Sequence, residues 1–160
     1  MGKSKFSMIM VPFRGTPADE QALRLACQTA RQDKARVLAV YVIEVQRTLP
    51  LDAENAPQTE RAEIALGQAD QVAHEMGLKI ETELFQARLA GAALVNEAME
   101  RNIDLIVMGI PFRSSLGDFE LRSTSSYILK NAPCEVWLCR QSASRQDALD
   151  LKRRSSAGVA

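Results

Sequence analysis

Long hydrophobic runs, a cysteine framework and a net charge are all missing from this sequence of 160 residues. The apolar stretch FSMIMVPF near the amino terminus is too short to span a bilayer and no cleavage site follows it, so we expect no membrane span and a cytoplasmic protein. Twenty basic residues balance twenty acidic ones, which removes any overall attraction to nucleic acid or to an anionic membrane. We therefore expect no nucleic-acid partner.

Cysteine and histidine are also scarce. Cys27, Cys134 and Cys139 are odd in number and form no CxxC pair, and the single His74 has no evident metal-binding companion. This pattern argues against a zinc site or a disulfide framework. We expect three buried thiols that pack as small hydrophobes in a reducing compartment, and a surface histidine with no metal role.

Several catalytic signatures are absent. The chain contains no GxxxxGK followed by Ser or Thr, no GxGxxG and no GxSxG, which are the patterns of phosphate-binding loops, dinucleotide sites and nucleophile elbows. General acid–base chemistry would have to rely on Asp or Glu, and no carboxylate pair is evident near the loops considered below. We predict that the protein is not an enzyme.

What the chain does contain is a regular alternation of strand and helix patterns. The segments KFSMIMVP, ARVLAVYVIEV, LKIETELF, IDLIVMG and CEVWLCR are predicted to be strands. Four helical segments separate them; the first begins with Thr16 as N-cap and Pro17, the second carries an apolar stripe that includes Ile64 and Val72, and the fourth lies near 123–131. Such alternation predicts an α/β fold with an open, mostly parallel five-stranded sheet.

The last twenty residues differ in composition from the rest. They are small, polar and basic at KRR, which is typical of a mobile segment. We predict a domain over residues 1–140 and a flexible basic tail over 141–160.

In an open parallel sheet, ligands bind beyond the carboxyl ends of the strands at the point where the strand order reverses. The loops after the first and fourth strands, PFRGT and GIPFRSSLGDFELRST, are therefore the candidate binding loops. The second is longer than most strand-to-helix connections, and it opens the next helix with small hydroxyl residues, a usual arrangement for anion binding.

Three stretches resemble the universal stress protein family. They are IMVPFRGTPADEQALRLACQTAR, IDLIVMG and STSSYILKNAPCEVWLCR, and the resemblance covers residues 6–140. It implies a five-stranded parallel sheet in the order 3-2-1-4-5 with helices on both faces, the Rossmann-like fold of the adenine-nucleotide alpha hydrolases. The sequence near the carboxyl terminus is also similar to that of stress-protein domains attached to transporters.

The resemblance implies a site for ATP or another adenine nucleotide, with departures. In ATP-binding members the loop after strand four has the pattern Gly, two residues, Gly, nine residues, Gly, then Ser or Thr. In this chain the corresponding positions are Gly109, Phe112, Arg122 and Ser123. Two of the three glycines are therefore replaced by bulky residues that obstruct close approach of a phosphate to the backbone. The acidic residue that members often place near the adenine and ribose corresponds to Arg14.

The expected cofactor-binding residues come from four places in the chain. They are Pro12, Phe13, Arg14, Gly15, Thr16, Val42, Met108, Gly109, Phe112, Arg113, Arg122, Ser123 and Thr124.

The arginines among these residues form one cationic mouth if the alignment holds. Arg88, before the third helix, is expected to approach the same mouth. Arginine pairs bidentately with phosphate, so these arginine side chains would bind the anion in place of the glycine backbone. The alternative is that these arginines are solvated or paired with Asp118 and Glu120 on the same loop.

Two functions remain open. The first is a non-enzymatic stress-response regulatory module that binds an adenine nucleotide in an arginine-rich pocket. The second is a nucleotide-free, degenerate member that acts through homodimerisation or by docking to a partner such as a transporter. For the second, the resemblance implies pairing through the strand Cys134 to Arg140, whose Trp137 would be covered by the partner; the alternative is a Trp137 packed inside its own chain.

Overall fold

The computed structural model describes residues 5–112 and 122–158. The elements are β1 (Met8–Pro12), α1 (Pro17–Asp33), β2 (Arg36–Glu44), α2 (Ala56–Glu75), β3 (Glu81–Ala87), α3 (Ala90–Glu100), β4 (Leu105–Ile110), α4 (Ser123–Asn131), β5 (Glu135–Arg140) and α5 (Arg145–Gly158). The predicted alternation of strands and helices is therefore present along the whole domain.

The five strands form one parallel sheet in the order β3-β2-β1-β4-β5. The predicted fold class and strand order are confirmed. The chain moves outward from β1 to β3, returns across the sheet through α3, and continues outward in the other direction through β4 and β5. The order reverses between β1 and β4, so a crevice opens at the carboxyl ends of these two strands.

Successive side chains of the strands point to opposite faces of the sheet and form two hydrophobic cores, one on each face. On the first face, Ile9, Val11 and Val107 pack against α1 and α2. On the second face, Met10 and Ile106 pack against α3 and α4. Two helices on each face bury both sides of the central strands, which explains why the sequences of these strands are almost wholly apolar.

Local sequence fixes the beginning of α1, the helix nearest the crevice. Thr16 is the N-cap in an extended conformation, and its hydroxyl oxygen accepts a hydrogen bond from the backbone N–H of Asp19 at 3.1 Å. Pro17 follows at the first helical position, where its missing N–H is not needed. The helix ends at Lys34, which adopts a left-handed conformation with φ of 56°.

The buried face of α2 differs in part from the predicted stripe. Ile64 is 57% exposed, and the buried side of α2 is formed by neighbouring positions such as Ala65 and Leu66. Small alanines bring α2 close to the sheet, and this close packing favours a face that excludes the larger isoleucine.

The segment predicted to be a flexible basic tail contains α5. Ser144 and Asp147 form a reciprocal cap at its start, because the N–H of Asp147 donates to Ser144 Oγ and the N–H of Ser144 donates to the Asp147 carboxylate. Sequence analysis did not predict this helix. None of its residues is buried, and the flexibility of 141–160 stays a prediction, as does the domain boundary at residue 140.

None of the helices in the described residues combines the length and hydropathy that a bilayer-crossing segment needs.

The first turn of α1 lies very close to the sheet where it crosses β4 at Gly109. A Cβ added to Gly109 would overlap the carbonyl group of Ala18 and lie 2.7 Å from the backbone nitrogen of Asp19. Backbone atoms cannot rotate away as the end of a side chain can, so α1 would have to move off the sheet.

We expect Gly109→Ala to destabilise the fold by about 1 to 3 kcal/mol, because the new methyl group collides with the backbone of α1. Gly67→Ala is the matched control: Gly67 lies inside α2 with nothing within 4 Å of an added Cβ, and the change should stabilise the helix by about 0.5 to 1 kcal/mol. Urea unfolding of the two variants and the wild type measures both effects. Equal stability of Gly109→Ala and wild type would contradict the close-packing role of Gly109.

Candidate functional site

A cavity of about 310 Å³ opens at the carboxyl ends of β1, β2 and β4. The first turns of α1, α2, α3 and α4 surround it, so residues from both faces of the sheet meet there. Its lining residues are Pro12, Phe13, Arg14, Thr16, Asp19, Val40, Tyr41, Val42, Ile43, Glu44, Gln58, Arg61, Ala90, Leu94, Met108, Gly109, Ile110, Pro111, Arg122, Thr124 and Ser125. The volume falls at the lower end of the range for small-molecule sites.

One wall of the cavity is apolar. Val40, Leu94 and Met108 belong to the core between the sheet and α3, and Val42 packs against the same core. Because Val42 lies on β2 beyond the point where β1 ends, this wall continues from the hydrophobic core into the open cavity. It offers a hydrophobic surface of the kind that accepts an aromatic ring.

The amino terminus of α4 forms a second side. Arg122 is the N-cap residue but supplies no capping hydrogen bond from its side chain, and Thr124 and Ser125 line the cavity. The first-turn N–H groups of a helix have no partners inside the helix. A first turn whose N-cap residue supplies no side-chain hydrogen bond, beside a cavity, is a suitable binding place for an anion.

Three arginines from three different elements line the cavity: Arg14 after β1, Arg61 on α2 and Arg122 before α4. In the part of the chain that the structure describes, none of the three forms an ion pair within 4 Å. Other arginines do form such pairs, as Arg24 does with Glu75 and Arg36 with Glu81. The guanidinium groups at the cavity therefore retain donors for an anionic ligand.

Asp19 is the buried charged group of the site. It is 8% exposed and lines the cavity from the first turn of α1. Its Oδ2 accepts a hydrogen bond from the backbone N–H of Arg14 at 2.8 Å. Burial raises the pKa of the Asp19 carboxyl above its ordinary value of 3.8, although the hydrogen bonds from Arg14 and Thr16 and the positive charge of Arg14 act in the opposite direction.

The structure brings most of the sequence-predicted residues to one cavity. Those that line it are Pro12, Phe13, Arg14, Thr16, Val42, Met108, Gly109, Arg122 and Thr124. Arg113, Asp118 and Glu120 lie outside the described residues. Lining the cavity does not test whether a residue binds a ligand, so the binding roles stay predictions.

Three predicted residues do not line the cavity. Gly15 has φ of 90° and faces α2, where an added Cβ would lie 2.9 Å from the Gln68 side chain; its role is to make the turn before α1. The ring of Phe112 lies under the guanidinium of Arg140, at 4.9 Å from ring centroid to Cζ. Ser123, the first residue of α4, is exposed.

Arg88 does not approach the cavity, contrary to expectation. Its Nη1 donates to the carbonyl oxygens of Gln46 and Leu49, the latter at 2.7 Å. A single guanidinium thus ties together the turn that follows β2. The Gln46 carbonyl also accepts the N–H of Leu49 at 3.0 Å, so Arg88 reinforces a turn that the backbone already closes, and its guanidinium is held away from the binding loops.

Sequence reasoning missed the contributions of α2 and α3 and all of β2 except Val42. Tyr41, Gln58 and Arg61 line the cavity on the side of α1 and α2, and Ala90 and Leu94 line it from α3. The signal that could have found Gln58 and Arg61 is their place in the first two turns of a helix that follows a parallel strand, because such turns meet at the carboxyl edge of the sheet. Asp19 was missed because an acidic residue in a first turn is usually a solvent-exposed cap.

The cysteines and the histidine have no place in the cavity. Cys27 is buried as expected, whereas Cys134 and Cys139 are half-buried, and all three are free thiols. Burial raises the pKa of the Cys27 thiol to about 11, which keeps it protonated and unreactive at neutral pH. His74 is exposed on α2, as predicted.

The raised pKa of Asp19 predicts how stability depends on pH. The folded state binds the proton of Asp19 more tightly than the unfolded state does, so this group favours folding at pH values below 3.8 and that contribution is lost as the pH rises through the raised pKa. The charged groups that share the cavity with Asp19 are Arg14, Arg61, Arg122 and Glu44. We expect Asp19→Asn to gain stability relative to wild type as the pH rises from 4 to 7.

Urea unfolding at several pH values measures this difference in free energy. Asp33→Asn is the matched control, because Asp33 also accepts a backbone N–H, that of Phe6 at 2.9 Å, at the other end of α1. A difference between Asp19→Asn and wild type that stays constant with pH would show that the carboxyl is not perturbed by burial.

Comparisons with known proteins place these features in a family. The sequence model of the Universal stress protein family matches residues 5–140. A universal stress protein of Methanocaldococcus jannaschii is 30% identical over 146 residues, which cover 88% of this chain and 85% of that protein. The structure of a universal stress protein from Archaeoglobus fulgidus has a TM-score of 0.71 and 21% identity, over 83% of this chain and 97% of that one.

Some structural neighbours hold adenine nucleotides. A universal stress protein from Archaeoglobus fulgidus in complex with dAMP has a TM-score of 0.65 and 18% identity, over 84% of this chain and 98% of that one. A family member from Arabidopsis thaliana with bound AMP has a TM-score of 0.63 and 16% identity, over 89% and 98% of the two chains. Together, the sheet order, the family match over nearly the whole domain and these relatives show that the chain belongs to the Universal stress protein family.

Proposed function

We propose that the protein is a non-enzymatic regulatory module of the stress response that binds an adenine nucleotide, ATP or a smaller one, in the cavity at the carboxyl edge of the sheet. The observation that carries the proposal is that one cavity joins an apolar wall around Val42 and Met108 to the first turn of α4, whose N-cap residue Arg122 supplies no side-chain hydrogen bond. A nucleotide needs these two surfaces, one for its base and one for its phosphate.

The fit of a nucleotide follows from the chemistry of the lining residues. We propose that the apolar wall accepts the base and that Thr124 and Ser125, which line the cavity from the first turn of α4, donate hydrogen bonds to the phosphate. Arg122 adds a positive charge at the same end. The complexes of related proteins with dAMP and AMP support an adenine ligand.

Because two glycines of the family pattern are replaced, the phosphate would be bound by different groups in this protein. Arg122 stands where ATP-binding members have a glycine, and Phe112 stands at another such position with its ring held by Arg140. We propose that Arg14, Arg61 and Arg122 supply through side chains the positive charge and the donors that a glycine-rich backbone supplies elsewhere. Binding of this kind depends on charge and is weakened by salt.

The test is calorimetric titration with ATP, ADP and AMP at low and moderate salt, after mass spectrometry of the purified protein for co-bound nucleotide. We expect binding that weakens several-fold as salt increases, and a loss of about tenfold, equivalent to about 1.4 kcal/mol, in Arg122→Gln. Lys79→Gln is the control, since it removes an exposed positive charge just before β3, at the opposite end of the sheet, and should leave binding unchanged.

No binding of any of the three nucleotides, together with no co-purified nucleotide, would overturn this proposal. That result would favour the second function, a nucleotide-free member that acts through protein contacts.

A homodimer through β5 is the second proposal, and the exposed edge of the sheet favours it. In the described residues β5 pairs only with β4, so its outer edge is unpaired. Leu138 of β5 is 39% exposed, and Leu129 of α4, which packs on the same face of the sheet, is 44% exposed. An unpaired edge with exposed leucines favours covering by a second chain, either another copy or a partner such as a transporter.

Trp137 is not the best probe of that interface. Its ring packs edge-on against Phe6 of the same chain, with centroids 5.5 Å apart, and its Nε1–H donates to Glu135. The tryptophan is thus engaged within its own chain, as one of the two sequence-based alternatives held. A substitution there would disturb the fold as well as any dimer.

Leu138→Glu should shift the protein from dimer toward monomer in multi-angle light scattering, because it places a charge on the apolar face of the edge strand in both copies. Leu89→Glu is the control: Leu89 is 57% exposed and precedes α3, next to the opposite edge strand β3, and its substitution should leave the oligomeric state unchanged. A Leu138→Glu variant that remains fully dimeric, or a wild type that is monomeric, would contradict the proposed interface.

A further inference from the structure

Asp19 combines three properties that a capping residue does not require. It is a buried charged residue, it lines the cavity, and burial raises the pKa of its carboxyl. An acidic residue in the first turn of a helix normally lies in solvent, where it stabilises the helix through the dipole. Here the charge is held at a position where burial makes it unfavourable.

Hydrogen bonds from Arg14 and Thr16 lower the pKa of the Asp19 carboxyl and so favour its charged form, whereas burial opposes that form more strongly. The contact with the N–H of Arg14 needs only one acceptor oxygen, which asparagine would also provide at nearly the same shape. The contact between the Asp19 N–H and Thr16 involves the backbone of residue 19 and does not depend on its side chain. A carboxylate has two oxygens and about four acceptor positions, so beside the hydrogen bonds from Arg14 and Thr16 it retains room for a further donor from the cavity.

The position of Asp19 in the fold is the place where ligands bind in open parallel sheets. The backbone nitrogen of Asp19 would lie 2.7 Å from a Cβ on Gly109, so the first turn of α1 rests on the end of β4. The same carboxylate bonds to the residue two positions after β1 ends. Asp19 therefore sits in the crevice between β1 and β4, where the strand order reverses.

The charge of Asp19 limits which part of a nucleotide can face it. A phosphate would be repelled by the carboxylate, whereas Arg122 and the first turn of α4 attract it. The apolar wall around Val42 and Met108 suits the base. The ribose, which connects the two, carries hydroxyl donors, and a carboxylate is a common acceptor for ribose hydroxyls in sheets of this architecture.

We propose that Asp19 is a ribose-reading residue, whose carboxylate accepts a hydrogen bond from a ribose hydroxyl and so makes the cavity select ribonucleotides over deoxyribonucleotides. This inference rests on the proposed nucleotide-binding function. It adds a specificity determinant on α1, outside the loop after β4 on which the glycine pattern places the phosphate.

The experiment measures the affinity of AMP, 2′-deoxy-AMP and 3′-deoxy-AMP for wild type, Asp19→Asn and Asp33→Asn by calorimetry. We expect wild type to bind AMP about tenfold more tightly than at least one deoxy form, since a hydrogen bond to a charged group is lost. In Asp19→Asn this preference should fall to about twofold or less, with the deoxy form bound about as tightly as by wild type. Asp33→Asn, which alters a carboxylate at the far end of α1, should retain the full preference.

The outcomes separate this inference from the function on which it rests. Wild type that binds AMP without discriminating against either deoxy form would overturn the role of Asp19 and leave nucleotide binding intact. Retention of the full preference in Asp19→Asn would do the same. Absence of AMP binding to wild type would overturn both. A uniform loss of affinity for all three nucleotides in Asp19→Asn would assign Asp19 a structural role only and would also overturn the inference.

Discussion

The contact of α1 with Gly109 is the constraint on which the rest of the site depends. Because residue 109 has no side chain, the backbone of Ala18 and Asp19 rests directly on the end of β4. This contact closes the crevice between β1 and β4 from one side and fixes the direction in which α1 leaves the sheet. The cavity keeps its depth because the helix cannot move away without losing the packing of Ala22 and Leu23 against the first core.

This contact gives a second explanation for the glycine at the end of β4. In the sequence, Gly109 is the one glycine of the family pattern that remains, and it suggests a phosphate held close to the backbone. In the structure, the space that a side chain at 109 would take is filled by another part of the same chain. Packing alone is thus a sufficient reason for glycine here, and its presence does not show that a phosphate binds. The case for an anion rests instead on the first turn of α4 and on the arginines.

The sequence was sufficient for the fold and for about half of the cavity wall. Strand and helix patterns have periods of 2 and 3.6 residues that depend only on local chemistry, so the five strands and the first four helices could be predicted. Val42, Met108 and Arg122 could be assigned to the site by resemblance. Arg61 could not, since α2 belongs to a different crossover and only the three-dimensional sheet brings its first turns to the same edge.

The errors have an equally physical origin. Arg88 was expected at the cavity because it lies near the start of α3, but the carbonyl groups of Gln46 and Leu49 in the turn after β2 are within its reach and accept hydrogen bonds from its guanidinium. Helix α5 was missed because its composition is polar and its residues remain outside the core. Its start depends on a two-residue cap between Ser144 and Asp147 that is short enough to be overlooked in a polar segment.

The distribution of charge in the cavity gives a ligand a direction. Three of the four exposed charged groups of the cavity are the positive Arg14, Arg61 and Arg122, the fourth being Glu44, whereas its buried charged group is Asp19. This arrangement disfavours a ligand that enters the crevice with its anionic end foremost. That end would meet the Asp19 carboxylate in a region of low dielectric constant, where repulsion between like charges is strong. The same arrangement favours a molecule whose neutral, hydroxyl-bearing part reaches the buried Asp19 while its anionic end stays near the exposed arginines. A protein with no net charge can thus orient a charged ligand, because the separation of opposite charges across a few turns of helix matters more than their sum.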